Sequence, residues 1–368
     1  MKQRTFKLKE FAQDISVAVK DAQLSPLKRF VGLEHYDSNE PVITRFTDTS
    51  LLSSSVKEFS ENDILIARRN VYLRRAGIVF FSGLTSGDSI VLRIYNDCEE
   101  RTGIPKDDAI RIIPFILNSN DFWAYANKHA DGMNSKRISK DMLYDYEFSL
   151  PSIEEQRILA DKLWAAYRLK ESYKKLLIAT QEMVKSQFIE MFGGMTTTPV
   201  KDYIDDSFPG EWGTEDKDGN GVKVIRTTNF TNSGKLNLED VVTRNIEERK
   251  VLRKQIKKYD TILERSGGTA DNPVGRVVLF EEDEQYLCNN FTQVLRFKNI
   301  DPRFAFYSLY YFYQTNKTAI RSMGSKTTGI QNLNMGKYQE IGIPNASDEQ
   351  QKAFVSIAEQ ADKSEYYN

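Results

Sequence analysis

Arg68-Arg69-Asn70, Tyr72 and Arg74-Arg75 set five ionisable or amide side chains around one aromatic ring, between two apolar runs that read as strands. Loops held on strands can enter a DNA groove. There an arginine fork pairs with guanine edges, an asparagine or glutamine pairs with adenine, and other cations touch phosphates. The second half of the chain offers a comparable set. It comprises Arg226, Thr227 and Asn229, then Arg265 with Ser266-Gly267-Gly268-Thr269, and Arg276. A later polar loop adds Arg321, Ser322, Lys326, Thr327, Thr328 and Gln331, and the first half has an equivalent in Lys128, Asn134, Ser135, Lys136 and Arg137. The competing reading is a solvated charged surface, which any one of these residues fits equally well.

Four other chemistries fit the residues less well. Met323-Gly324-Ser325-Lys326-Thr327-Thr328-Gly329 lacks the Gly-x-x-x-x-Gly-Lys-Ser/Thr order of a phosphate-binding loop, so a DNA phosphate contact suits it better than a nucleotide. Asn272-Pro273-Val274-Gly275 is not the Asn/Asp-Pro-Pro-aromatic motif of adenine methyltransferases, and no glycine-rich cofactor loop follows a clear strand. Glu248-Arg249-Lys250 has the acidic-x-Lys element of metal-dependent nucleases, but it sits in a charge-rich helical run and reads as a solvated face. The aromatics Phe304, Phe306, Tyr307, Tyr310, Tyr311, Phe312 and Tyr313 could stack bases, yet at helical spacing they read as core. With only His35 and His129, no histidine-rich metal site is expected and no catalytic residue is assigned.

Composition sets the frame. The 368 residues suffice for two or three domains, and 40% hydrophobic with 28% charged residues is ordinary for a globular protein. The net charge of −1 means that nucleic-acid binding has to come from local patches. No apolar run approaches the roughly 18 residues of a membrane span. MKQRTFKLKEF has no apolar signal-peptide core, and Cys98 and Cys288 form no disulfide framework, so a cytoplasmic location is expected.

The element that must position the two basic sets is the stretch Phe148 to Gly194. Ser152-Ile153-Glu154-Glu155 after Pro151 fits a capping box. Ile153 to Phe192 contains no proline or glycine, and Gly193-Gly194 stops the pattern. About 40 residues at about 1.5 Å each give a rod of about 60 Å. Its apolar stripe needs a partner helix. Leu159, Leu163, Leu169, Tyr173, Leu176, Met183 and Phe188 are the expected docking face. The strip from Tyr173 to Met191 is expected to lie uncovered.

The two flanks repeat one plan at an offset of about 190 to 200 residues. Asn62-Asp63-Ile64-Leu65 matches Tyr259-Asp260-Thr261-Ile262-Leu263. Gly77–Phe81 matches Gly275–Phe280, Ser89–Ile94 matches Phe291–Phe297, and Phe122–Asn127 matches Phe304–Tyr313. Ile112–Asn127 reads as a strand and then a helix, and Ser322–Asn332 as a loop. Phe148-Ser149-Leu150-Pro151 matches Ile341-Gly342-Ile343-Pro344, and Ser347-Asp348-Glu349-Gln350 is a second capping box.

On LPSIEEQ at Leu150–Gln156, KSQFIEMFG at Lys185–Gly193, and YDTILERSGGT with GRVVLF in the second copy, nearly the whole chain resembles the specificity subunits of type I restriction-modification systems. The resemblance implies an α+β chain. Two mixed, strand-rich target-recognition domains (1–150 and 195–346) form a pseudo-two-fold tandem repeat. They are joined by a long coiled-coil spacer helix (151–194), and a short C-terminal helix follows (347–368). It implies a non-catalytic reader of a two-part site in double-stranded DNA. The helices would dock methylation subunits, and restriction subunits would join them. S-adenosylmethionine, ATP and magnesium would be bound by those partners, and no cofactor by this chain. The second helix has about half the length of the first, which departs from the family's antiparallel pair. A half-length subunit that completes its spacer as a homodimer, or the recognition fragment of a fused methyltransferase-nuclease, are the alternatives. A structural or RNA-binding coiled-coil protein is a third.

Overall fold

Ile64-Leu65-Ile66-Ala67 is apolar at every position, and the strand it forms is buried on both faces. In the computed structural model it is the interior of a four-stranded antiparallel sheet, ordered Ala12–Asp14, Ser89–Ile94, Ile64–Ala67, Ala76–Ile78. The structure describes residues 4–52, 56–133, 135–269, 271–327 and 330–366, the side chains of 51, 326, 327 and 363–366 excepted. The chain divides into two units, Met1–Ser172 and Tyr173–Asn368.

The first unit adds a five-stranded sheet, in which Arg29–Val31 runs parallel to Gly83–Ser86. Arg4–Lys7 pairs antiparallel with Glu147–Leu150 and ties the start of the unit to the entry of the long helix. Helices Lys106–Ile116 and Asn120–His129 complete its core around Trp123, Phe122 and Ile113.

The second unit follows the same plan. Thr197–Pro199 pairs with Gly342–Pro344, and a four-stranded sheet runs Ile204–Pro209, Thr292–Phe297, Thr261–Glu264, Val277–Leu279. A second sheet again contains one parallel pair, Val222–Ile225 with Tyr286–Cys288. The repeat reaches individual side chains. Asp63 accepts from Arg93 Nε and Nη2, both at 2.7 Å. Asp260 accepts from Arg296 Nε and Nη2 at 2.9 and 2.7 Å. Each carboxylate also caps its own turn, from Ser60 N and Lys257 N respectively. The residue before each aspartate has a left-handed backbone, Asn62 at φ 69 and Tyr259 at φ 70.

The long helix spans Ile153–Phe192 and the C-terminal helix Asp348–Tyr366. Both capping boxes form: Ser152 with Glu155 and Ser347 with Gln350 exchange side-chain and backbone bonds. The following glutamines are buried and donate back to the chain, Gln156 to Pro151 O and Gln351 to Ala346 O.

Three sequence expectations change. Ile112–Asn127 is not a strand and a helix; it spans the last turns of one helix and most of a second. Asp107 and Asp108 occupy the first turn, where the helix dipole favours them, and Ala109, Ile112 and Ile113 form one buried face. The counterpart of Phe304–Tyr313 is therefore Lys106–Ile116, because Pro302–Thr315 is the first long helix after the corresponding sheet strand. Ser322–Asn332 is not a loop, since Gly324–Thr327 and Ile330–Leu333 form a hairpin with Ser266–Gly267 as its third strand. Thr328 and Gly329 lie outside the described residues.

Candidate nucleic-acid interface

In the first unit, the chain leaving strand Ile64–Ala67 makes a tight turn at Val71–Leu73, flanked by two left-handed residues, Asn70 (φ 55) and Arg74 (φ 51). Each such residue costs of the order of 1–2 kcal/mol, more readily borne by asparagine than by arginine. A second, distant loop holds this geometry in place. Asn70 N donates to Lys136 O at 2.7 Å, Ile138 N donates to Arg68 O at 3.0 Å, and Arg68 N donates to Asp88 O at 3.0 Å. The 68–75 turn and the 131–138 loop, predicted as separate contributors, are thus one surface.

That surface sorts its side chains. Arg69 and Arg137 lie 3.2 and 3.8 Å from the same carboxylate, Asp88, which leaves the pair with net positive charge. Tyr72 is 60% exposed and Lys136 is exposed. Arg74 donates to Asn120 Oδ1 at 2.9 Å. Arg75 turns inward to the carbonyls of Leu33 and Arg69, and burial holds its pKa below the usual arginine value. It supports the turn and does not face solvent as a reader would. Asn134 lies outside the described residues, while Ser135 Oγ is 3.1 Å from Asn70 Oδ1.

The second unit reproduces the clamp. Arg265 N and Ser266 N donate to Phe291 O, and Leu333 N donates to Arg265 O at 2.7 Å. Arg265 therefore occupies the position of Arg68, and its guanidinium donates to Gln293 Oε1 at 3.1 Å. Gly267 (φ 113) stands where Asn70 does and pairs with Gln331 across the ladder. Thr269 is exposed and closes a turn onto Asn272. Arg321, in the last turn of helix Lys317–Met323, is exposed. Lys326 and Thr327 lie on strand Gly324–Thr327, with side chains outside those described.

Three predicted readers in this unit have internal duties. Asn229 is buried; it accepts from Arg226 N and donates to the carbonyls of Asn237 and Asp240. Arg226 lies 3.0 Å from the Asp240 carboxylate. Arg276 grips Glu264, which is 2% exposed, through Nε and Nη2 at 2.7 and 3.2 Å. The aromatic run is core, as expected: Phe304, Phe306, Tyr307, Tyr311 and Tyr313 are buried. Sequence reasoning missed Asp88, Asn120 and Gln293, which hold the arginines. Nothing in a single turn residue or strand glutamine announces a cation partner far along the chain.

Residues 207–365 match the family model described as the type I restriction modification DNA specificity domain. The matched stretch is less than half of the chain and lies within its second unit. The matched stretch holds the whole basic set of the second unit, from Arg226 to Gln331. Among solved structures, the chain is similar to the type I restriction-modification S subunit from M. genitalium. That match is 13% identical, covers 99% of this chain and 90% of that one, and has a TM-score of 0.53. The HsdS subunit from Thermoanaerobacter tengcongensis is 15% identical over 98% of this chain and 89% of that one, with a TM-score of 0.36. No curated protein matches the chain. The first unit, which precedes the matched specificity domain, is tied to it by the shared sheet order, the twin Asp–Arg pairs and the shared clamp.

Among the described residues no group of three or more histidine, cysteine or acidic side chains could hold a metal, and no helix is long and apolar enough to cross a membrane. Cys98 and Cys288 are free and buried.

The expected docking face on the long helix divides. Leu159, Leu169, Tyr173, Leu176 and Met183 are exposed, and Leu163 is half-buried. Phe188 is buried, packed on Tyr311 and Phe354 at ring distances of 5.0 and 5.1 Å. The strip from Tyr173 to Met191 is therefore only partly bare, because the C-terminal helix and Pro302–Thr315 cover Val184, Phe188 and Phe192.

Proposed function

We propose that the chain is the non-catalytic DNA-recognition subunit of a type I restriction-modification complex, with one half-site of a two-part duplex sequence read by each unit. The observation that carries this is the repeated clamp, which presents Arg68-Arg69 and Arg265 at the ends of corresponding strands, each fastened by a distant loop. Half-buried Arg69 with exposed Lys136 and Arg137 would set position on phosphates. Tyr72, Asn70, Thr269, Gln331, Arg265 and the strand that carries Lys326 and Thr327 would face base edges. The long helix would be the spacer that fixes the gap between half-sites. Methylation subunits binding S-adenosylmethionine, and restriction subunits binding ATP and magnesium, would supply the chemistry.

The test is duplex binding by fluorescence anisotropy against a pool of random sequence and against one selected sequence. Sequence preference with a strong salt dependence supports the reading. Salt-dependent binding with no preference would reduce the chain to an electrostatic binder.

A further inference from the structure

The two units place a cation differently at one point of their shared plan. Ile66 lies opposite Ala76 in the first unit as Leu263 lies opposite Val277 in the second, so Gly275 occupies the place of Arg74. The helices that follow begin after Ser119 and Asn316, so Lys317 occupies the place of Asn120. In the first unit Arg74 reaches from the turn to Asn120 Oδ1, at 2.9 Å. In the second unit that turn residue has no side chain, and the helix supplies the cation, Lys317.

Lys317 borders a cleft of about 170 Å³ whose walls include Asn232, Asn272, Arg276, Tyr313 and Gln314. The walls are fastened. Tyr310 and Gln314 both donate to Asn232 O at 3.2 Å, and Tyr313 donates to Pro273 O at 2.9 Å. The two cations in the cleft are not equivalent. Arg276 is neutralised by its grip on Glu264. Lys317 is half-buried, with Nζ 3.6 Å from the centre of the Tyr313 ring, and among the described residues no carboxylate forms an ion pair with it. Burial, with Arg321 and Arg276 nearby, holds its pKa below the usual lysine value. Keeping a partly desolvated charge among like charges costs stability, and an anion from outside the chain offsets that cost.

We propose that this cleft holds one phosphate of the DNA backbone, with the Lys317 ammonium as its cation and the Asn272 side chain as a neutral donor. The cleft is smaller than the roughly 300 Å³ at which sites for whole organic ligands begin, so it suits one oxyanion group of a larger partner and not a complete nucleotide. Asn272 also closes the turn that carries Thr269, through Thr269 N to Asn272 O at 2.7 Å and Asn272 N to Thr269 Oγ1 at 3.0 Å. The bound phosphate therefore lies beside the bases that Thr269 faces. This contact presupposes the DNA reading above and adds to it a fixed point that sets the register of the second unit on its half-site.

Fluorescence anisotropy on the full chain with its selected duplex tests the contact. Lys317→Met keeps an apolar stem against Tyr313 and removes the charge. Its log–log salt slope should be less negative by about 0.9, so its affinity deficit should shrink about threefold between about 50 and 200 mM salt. Its preference among duplex sequences should not change, since phosphate contacts carry no direct sequence information. Lys317→Arg should restore the slope. The melting temperature of Lys317→Met should not fall, whereas loss of a merely structural lysine would lower it. Replacing single phosphates by neutral methylphosphonates should reveal one position at the second unit's half-site where the parent loses affinity and Lys317→Met does not. A parental salt slope in Lys317→Met, with both proteins equally sensitive at every methylphosphonate, would overturn the proposal and leave the DNA reading standing. Inorganic phosphate that raises the melting temperature of the parent alone, with no methylphosphonate separating the two proteins, would assign the cleft to a free anion and overturn it too. A parent chain that binds no duplex would remove the DNA reading and this contact together.

Discussion

Arg276→Ala should behave as a stability mutation, although Arg276 sits among the basic residues of the candidate surface. Glu264 is 2% exposed, and its carboxylate receives two bonds from Arg276 and sits next to the strand Val277–Leu279. Removing the arginine leaves a buried carboxylate without its counter-charge, which costs about 3–5 kcal/mol where a buried pair is broken. The Arg276 side chain is 18% exposed, so solvent offsets part of this, and about 3 kcal/mol is the expected loss. For a unit of this size that lowers Tm by roughly 6–12 °C. Glu264→Gln combined with Arg276→Met should recover most of it, because no unpaired charge remains. Denaturant unfolding and thermal melts measure the stability, and anisotropy on a fixed duplex measures binding at a temperature where both proteins are folded. If Arg276→Ala left stability within about 0.5 kcal/mol of the parent and removed DNA affinity, the inward reading would be refuted, since a surface substitution is usually that mild.

Other outcomes follow from the same geometry. Arg69→Ala with Arg137→Ala should weaken binding about equally for all duplexes and make the log–log salt slope less negative by about two, near 0.9 per lost phosphate contact. An unchanged slope would place both arginines off the DNA. Asp301 is half-buried, and that burial pushes its pKa up. The Arg303 guanidinium and the helix-start backbone N–H groups outweigh that, and its carboxyl is held below the usual range. Its contribution is therefore present above about pH 3.9, the unfolded value, and is lost as pH falls through the lower folded one. Asp301→Asn should flatten acid unfolding in that window, as followed by circular dichroism. Inserting one helical turn after Ser172 should alter the number of unread base pairs and leave the half-sites unchanged, as read by methylation mapping.

The long helix was legible because every signal agreed: a capping box at Ser152, no breaker from Ile153 to Phe192, and glycines behind it. The duplication was legible from Asn62-Asp63 and Tyr259-Asp260, although the reason those positions recur was not. Each aspartate caps a left-handed turn and binds an arginine some 30 residues onward, and no local pattern encodes that pairing. The helix at Lys106–Ile116 was misread because Ile112, Ile113 and Ile116 are β-branched and Pro114 interrupts them. Buried tertiary contacts overrode those preferences. At the candidate site, sequence located the arginines but not their direction. Arg75 and Arg276 point inward and Arg69 and Arg137 outward because of Leu33, Glu264 and Asp88, all brought near by the fold.

The most direct test of the central claim is to co-express the chain with the methylation subunit of its system and map methylated adenines across a genome. The account predicts one motif in two parts separated by a fixed unread gap, with Thr269→Ala and Gln331→Ala altering the bases of one part alone. Methylation at a single uninterrupted motif, or none that depends on this chain, would contradict it.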